Sequence, residues 1–250
     1  MPRTGSTLLC FALQATGIAG HPDESFHPGI REEAQDRKKL GVTDEALFIP
    51  RWIEVSMTRN GVFGSKLLAF QTPLLMRRTS EAAGRPYTSL YQALECIVPG
   101  ARYIHVTRED KEAQAVSYYR ALMSNEWHRF RSVFLPDSVG REPFFDPIGI
   151  GTCHALAEAN DLYWDGYFKT HGIEPLHIVY EELARDFESV MRRVFAFLYL
   201  PVGTPVPSPA TEKLADAESA EWVARYRALA ARQDYRPYSP AECARHWAPY

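Results

Sequence analysis

The sequence predicts an α/β fold in which helices flank a parallel β-sheet. Short apolar runs at 102–107 and 176–180 are typical of buried strands. Amphipathic helical segments separate them, so the strands need crossover connections and are expected to run parallel. The composition, 46% hydrophobic and 24% charged, suits a globular core. Ligands of such sheets bind at the carboxyl ends of the strands.

The first hundred residues predict four helices and one strand. Gly17 ends the first helix, and Asn60-Gly61 ends the third. The predicted helices cover 6–16, 31–40, 44–60 and 84–97, and the predicted strand covers 62–70.

The remaining residues continue the alternation of strands and helices. Strands are predicted at 102–107 and 176–180, and helices at 110–124, 151–171, 182–200 and 217–232. The Pro-rich stretch 201–209 is too short to be a domain boundary by itself. We therefore expect one domain over residues 1–250, with a helical C-terminal segment at 210–250.

The bulk properties exclude several classes of protein. A net charge of −3 gives no general attraction to nucleic acid or to acidic membrane surfaces. No stretch approaches the ~20 apolar residues that span a bilayer, and no signal-peptide pattern is visible. The four cysteines lack CxxC spacing, which predicts reduced thiols without structural zinc. Together these features predict a cytoplasmic protein.

The segment PRTGSTLL (2–9) predicts an anion-binding loop. It opens directly into a helix, whose first N–H groups lack partners and, with the helix dipole, favour phosphate or sulfate. Gly5 lets the backbone approach the anion, Ser6 and Thr7 add hydroxyl donors, and Arg3 adds a permanent cation. The ATP-binding pattern GxxxxGK[ST] is absent. An ordinary helix cap is the alternative interpretation.

Arg108 and Ser117 form a second candidate anion site. Arg108 lies at the carboxyl end of the 102–107 strand. Ser117 lies nine residues after Arg108, within the next predicted helix. A guanidinium group offers forked donors that suit phosphate. The alternative is a solvated Arg at a strand end and a helix Ser that faces solvent.

Together these segments resemble the PAPS (3′-phosphoadenosine-5′-phosphosulfate)-dependent sulfotransferases, which also carry a YEDL segment similar to VYEEL (179–183). The closer resemblance is to the bacterial trehalose 2-sulfotransferase family. It is carried by PRTGSTLL (2–9), ATGIAGHPDESF (15–26), NGVFGSKL (60–67), VTREDKEAQAVS (106–117) and AEWVARYRA (220–228).

The resemblance implies a P-loop-related sulfotransferase fold, PAPS as co-substrate and no metal. It assigns the 5′-phosphosulfate to Arg3, Thr4, Gly5, Ser6 and Thr7. It assigns the 3′-phosphate to Arg108 and Ser117, adenine to Tyr180, and the role of general base to Glu24. Because Arg does not release its proton, Arg3 is expected to stabilise charge on the leaving group. A carboxylate base works better if burial raises its pKa.

The sequence departs from the family in two places and leaves one assignment open. A strand normally precedes the phosphosulfate loop, and here only Met1 and Pro2 precede Arg3. The start is therefore expected to be truncated, or the sheet to lack its first strand. Ser25 stands where the family often has an aromatic residue. His21 and His27 remain alternative bases.

Other functions and assignments stay open as well. Lys66 is expected in a strand, where it either faces the sulfuryl group or extends to solvent. The aromatic residues of 118–134 are expected either to pack in the hydrophobic core or to line an acceptor pocket (Tyr118, Tyr119, Trp127, Phe130 and Phe134). The acceptor is expected to be a small hydroxyl compound, such as a carbohydrate or a glycolipid. A homodimer is expected from the family. The competing functions are a nucleotide-dependent phosphotransferase and a non-catalytic PAPS-binding module.

Overall fold

The computed structural model describes residues 2–27, 30–127, 141–210, 216–232 and 239–244. Phe130, Phe134 and parts of the predicted C-terminal segment lie outside them. The helices are α1 (Ser6–Ala15), α2 (Ile30–Leu40), α3 (Phe48–Val55), α4 (Thr72–Ala83), α5 (Leu90–Ile97), α6 (Lys111–Ser124), α7 (Pro147–His171), α8 (Tyr180–Arg185), α9 (Phe187–Phe197), α10 (Ala217–Ala230) and α11 (Pro240–Ala244). The strands are β1 (Ile104–Thr107) and β2 (Leu176–Val179).

The sheet of the described residues consists of β1 and β2, which run parallel with Ile104 opposite Leu176 and Thr107 opposite Val179. Both predicted strands and their parallel pairing are confirmed. Because β1 and β2 end in register, the residues that follow them, Arg108 and Tyr180, emerge at the same edge of the sheet.

Aspartate caps explain where several helices begin. The side chain of Asp110 accepts a hydrogen bond from the Ala113 amide at α6, and Asp186 does the same for the Ser189 amide at α9. Asp216 caps α10 through the Ser219 amide. Such caps replace partners that the first helical N–H groups lack. They fix the residues at which α6, α9 and α10 begin.

Three hydrophobic clusters hold the helices around the sheet. The first packs Trp52, Leu75 and Leu94 against α7. The second packs Leu9 and Leu13 of α1 against Ile178 of β2 and the buried face of α9. The third joins α6, α7 and α10. The second cluster seats the start of α1 beside the carboxyl ends of the strands.

The predicted strand at 62–70 is wrong. The segment forms a single antiparallel bridge, between Phe63 and Met57, and ends in a 3-10 turn at Ala69–Gln71. Its backbone is held by loops instead: the Gly64 amide donates to the Ser56 carbonyl at 3.1 Å, and the Lys66 amide to the Asp23 carbonyl at 3.2 Å. Because these backbone groups bond to loops, the segment forms no strand ladder.

Several predicted helix boundaries also differ from the observed ones. The predicted helix 44–60 divides into a 3-10 turn at Glu45–Leu47 and α3, and the predicted helix 84–97 begins only at α5. Helix α4 lies in a stretch for which no helix was predicted; a Pro in its first turn is compatible with a helix start. The predicted helix 182–200 divides at Asp186, whose φ of −139° interrupts the helical backbone.

A cavity of about 530 Å³ lies beside β1. It is lined largely by apolar side chains of α1, of the 62–68 segment and of the residues leading into β1. Within the described residues, β1 forms its ladder with β2 alone.

Candidate active site

The N-terminal loop turns sharply before α1. Arg3 and Gly5 both have left-handed backbones, with φ of 68° and 78°. A Cβ on Gly5 would lie 2.8 Å from Cδ2 of Tyr180 and 3.2 Å from Cδ2 of Leu183. Glycine is therefore required by the backbone conformation and by the close approach of Tyr180. The first turn of α1 contains no acidic residue, so the positive end of its dipole is left available for an anion.

The loop opens onto a cavity of about 840 Å³. This volume is within the range of small-molecule sites. Seven of the residues predicted to bind the cofactor line it: Arg3, Gly5, Ser6, Thr7, Arg108, Ser117 and Tyr180. Thr4 is buried and lines the neighbouring 530 Å³ cavity instead. Glu24 lines neither of these two cavities. It is connected to the loop through Lys66, which contacts both Glu24 and Thr7.

Two guanidinium groups lie next to each other at the inner end of this cavity. Arg3 donates from Nε to Oγ of Ser117 at 2.9 Å and also donates to the Trp127 carbonyl. Arg108 donates to the carbonyl of Arg3 at 3.3 Å. Burial, together with the charge of Arg108, lowers the pKa of Arg3. Two neighbouring cations repel each other, so a bound anion between them is favourable.

Arg108 is held in place without using all of its donors. Its guanidinium lies 4.6 Å from the ring centre of Tyr180, and its Nε lies 3.8 Å from Oε1 of Glu181. Among the described residues, the buried Nε of Arg108 has no hydrogen-bond acceptor. A buried donor without an acceptor is costly. Arg108 lines the cavity beside a second cation, and this arrangement fits an anionic ligand such as phosphate.

Glu181 fixes the turn that presents Arg108. Its carboxylate accepts hydrogen bonds from the backbone amides of Glu109 and Asp110, at 3.1 and 3.2 Å. Glu181 is the second residue of α8, the helix that directly follows β2. The end of β2 therefore positions the end of β1.

A second group of polar side chains surrounds Glu24. Nζ of Lys66 lies 2.6 Å from Oε1 of Glu24 and donates to Oγ1 of Thr7 at 2.9 Å. Gln71 donates to Oε2 of Glu24 at 3.0 Å. Lys66 therefore connects the candidate base to the anion loop.

His27 completes this group on the side away from Lys66. Its Nε2 lies 3.2 Å from Oε2 of Glu24, and its Nδ1 lies 3.2 Å from Oδ1 of the buried Asp36. Asp36 also accepts the His27 backbone amide at 3.0 Å. Hydrogen bonds with Asp36 and Glu24 raise the pKa of His27 to about 9. His27 is therefore a cation at neutral pH.

The pKa of Glu24 is not raised in the way that would favour a general base. Burial alone would raise it, but the hydrogen bond with His27 and the charge and hydrogen bond of Lys66 outweigh burial. They hold the pKa of Glu24 well below its usual value.

Asp36 and Gln71 of this group were not singled out in the sequence, and Lys66 was named there with two alternative placements. Lys66 was expected in a strand, where extension to solvent was the preferred interpretation. Its side chain is only 11% exposed. Asp36 and Gln71 meet Glu24 through tertiary contacts that no local pattern shows. The match of NGVFGSKL (60–67) to the family was the available signal for Lys66.

The loop and the paired arginines form a pocket that suits an anionic ligand, and comparison with known proteins shows the family of the chain. The model of the Stf0 sulphotransferase family matches residues 1–229. The chain belongs to the Stf0 sulphotransferase family. This confirms the resemblance drawn from the sequence motifs.

Two relatives support the same assignment for this Stf0 chain. The trehalose 2-sulfotransferase of Mycolicibacterium smegmatis is 33% identical, over 92% of the chain and 93% of the relative. The trehalose 2-sulfotransferase of Mycobacterium tuberculosis is 31% identical, over the same shares. The chain is therefore a sulfotransferase enzyme, and the family implies PAPS as the co-substrate.

Two further features of the Stf0 chain come from the described residues alone. No helix among them combines the length and the apolar character needed to cross a bilayer. No group of three or more His, Cys, Asp or Glu side chains among them could hold a metal ion.

Proposed function

We propose that this Stf0 protein transfers the sulfuryl group of PAPS to a hydroxyl of a carbohydrate such as trehalose. The observation that carries the proposal is the 840 Å³ cavity, in which the loop before α1 faces Arg108 and Ser117. The names of the two relatives support trehalose as the first acceptor to test.

The loop before α1 suits the 5′-phosphosulfate in a P-loop-related arrangement. The amides of the first turn of α1 and the hydroxyls of Ser6 and Thr7 are donors, and Arg3 supplies charge. Thr4, whose side chain is buried, contributes by holding the loop.

Arg108 and Ser117 suit the 3′-phosphate. Arg108 has a buried Nε without an acceptor among the described residues, and Ser117 already accepts a hydrogen bond from Arg3. A phosphate between the two guanidinium groups would reduce their repulsion. Tyr180, between Gly5 and Arg108, forms the wall against which adenine would pack.

The proposed chemistry divides between the loop and Glu24. PAPS supplies an activated sulfuryl group. The acceptor oxygen bonds to sulfur, the bond from sulfur to the 5′-phosphate oxygen breaks, and that oxygen keeps the electron pair. Glu24 takes the proton of the acceptor hydroxyl. Arg3 and the loop amides stabilise the charge that develops on the leaving group.

The remaining expectations extend this proposal. Residues 1–250 would act as one sulfotransferase domain, and Tyr118 and Trp127, whose rings lie 6.0 Å apart, would form part of an acceptor wall. Homodimer assembly and a cytoplasmic location stay predictions.

Transfer of ³⁵S from labelled PAPS to trehalose tests the proposal. We expect a sulfated disaccharide and an equal amount of adenosine 3′,5′-bisphosphate (PAP), with the Glu24→Gln variant as control. Phosphate transfer from ATP would replace this proposal with a phosphotransferase. A folded protein that binds PAP but sulfates no acceptor in a broad carbohydrate panel would replace it with a binding module.

A further inference from the structure

Lys66 lies between two parts of the site that would act on different substrates. Its Nζ contacts Oγ1 of Thr7 in the anion loop at 2.9 Å and Oε1 of Glu24 at 2.6 Å. Its side chain is 11% exposed, so little water competes for the ammonium group. Among the described residues that contact the Glu24 carboxylate, Lys66 is the one that also contacts the loop.

Both oxygens of Glu24 are occupied in this arrangement. Oε1 has Lys66, and Oε2 has Gln71 and His27. A carboxylate with bound cations is a weak base, because the cations stabilise its ionised form. Oε1 can accept a second hydrogen bond, so an acceptor hydroxyl can donate to Glu24 beside Lys66, but Glu24 takes the proton readily only when one of the cations has left.

Lys66 is the group best able to leave. His27 is fixed by its two contacts with Asp36, and Gln71 is fixed by the Leu68 amide, which donates to its Oε1 at 2.8 Å. The second partner of Lys66 is a neutral hydroxyl on the loop. The lysine side chain is flexible, and its ammonium group turns readily between acceptors.

We propose that Lys66 is a donor-responsive residue, which moves from Glu24 to the sulfuryl oxygens when the sulfuryl donor binds at the loop. Its departure makes Oε1 of Glu24 a stronger base for the acceptor hydroxyl. Before the donor binds, Lys66 keeps Glu24 from acting as a base. During transfer the acceptor proton passes to Oε1, and Lys66 stabilises charge on the sulfuryl oxygens. This inference rests on the proposed function, and it predicts that the donor activates the base.

Other titratable groups face Glu24 from the surrounding elements. Asp23 precedes it, and Lys39 of α2 contacts Asp23 and the Glu24 carbonyl. Cys10 of α1 and Tyr118 of α6 also lie within its electrostatic range, but burial raises the pKa of each to about 12, so both are neutral near pH 7. Of the groups around Glu24, His27 and Lys66 are the ones that lower its pKa.

The test is carbon-13 NMR titration of the Glu24 carboxyl in the full chain, assigned by its loss in Glu24→Gln. Wild type, Lys66→Met and His27→Gln are titrated with and without PAPS, in the absence of acceptor. Bound PAPS also repels the Glu24 carboxylate directly, so the informative quantity is the change that depends on Lys66. In wild type we expect PAPS to raise the proton affinity of Glu24 about tenfold or more, the lower end of the effect of an adjacent opposite charge.

The two variants separate the roles of the two cations. Lys66→Met should raise the proton affinity of Glu24 without PAPS and leave only a small further rise with it. His27→Gln removes the other cation, which does not touch the loop, so it should keep the full response to PAPS. Lys66→Gln replaces Lys66→Met if the latter fails to fold.

Equal responses to PAPS in wild type and in the Lys66 variant would overturn the inference. So would PAPS binding to wild type, detected by calorimetry, without a change at Glu24; that result would leave the proposed function intact. A folded wild-type protein that binds no PAPS would remove the proposed function and this inference together.

Discussion

Replacing Arg108 with Ala should weaken binding of the 3′-phosphate selectively. The Arg108 side chain is 14% exposed, and its Nε lacks an acceptor among the described residues. Hydrogen bonds to charged groups contribute about 1.5–3 kcal/mol each. Two such bonds in one forked contact, at the lower limit, give about 3 kcal/mol, which corresponds to a loss in affinity of about 150-fold.

The truncation also has effects unrelated to the 3′-phosphate. It removes the contact with the Tyr180 ring and the hydrogen bond to the Arg3 carbonyl. These losses should weaken PAP and AMP equally, because both nucleotides share the adenosine and the 5′-phosphate. The ratio of the two dissociation constants isolates the 3′-phosphate.

Calorimetric titration of PAP and AMP into wild type and Arg108→Ala measures that ratio. Arg192→Ala is the matched control, because Arg192 is an exposed arginine that pairs with Glu188 on α9. We expect the preference for PAP over AMP to fall about 150-fold in Arg108→Ala alone. Equal losses for PAP and AMP would refute the assignment of Arg108.

Three further changes test other parts of the site. Glu24→Gln should lower kcat about 10²- to 10⁴-fold, the contribution of a general base, while calorimetry shows nearly unchanged PAP affinity; unchanged turnover would reject Glu24 as the base. Ser6→Ala should weaken PAPS binding about 3- to 10-fold, as expected for one neutral hydrogen bond; a wild-type titration would argue against the loop assignment. The pKa of His27 is raised from 6.5 to about 9, so its contribution to stability is fully present below about pH 6.5 and is lost as the pH rises through about 9. Urea unfolding at several pH values should show this loss in wild type but not in His27→Gln, and parallel curves would contradict it.

The sequence predicted those parts of the fold that local patterns determine. The runs 102–107 and 176–180 are short, apolar and flanked by helical periodicity, and both form strands that pair in parallel. The helix after the loop is also correctly placed, because Gly17 follows its last turn. The 62–70 run failed because β-rich composition does not specify a partner, and here the backbone bonds to the loops at Asp23 and Ser56.

Local sequence patterns likewise predicted one part of the candidate site, and tertiary contacts determine the rest. Arg3, Gly5 and Arg108 lie in motifs whose local chemistry indicates an anion site, and they meet in one cavity. The environment of Glu24 depends on Asp36 and Lys66, which are 12 and 42 residues away in the sequence. Burial would raise the pKa of Glu24, but His27 and Lys66 lower it, and only the tertiary structure brings Lys66 beside Glu24.

Calorimetric binding of PAP, compared with AMP and ATP, tests the assignment of the cavity to PAPS most directly. We expect tight binding of PAP and much weaker binding of AMP and ATP, because only PAP would place phosphates at both the loop and Arg108. A folded protein that binds no PAP, or that binds ATP as tightly as PAP, would contradict it.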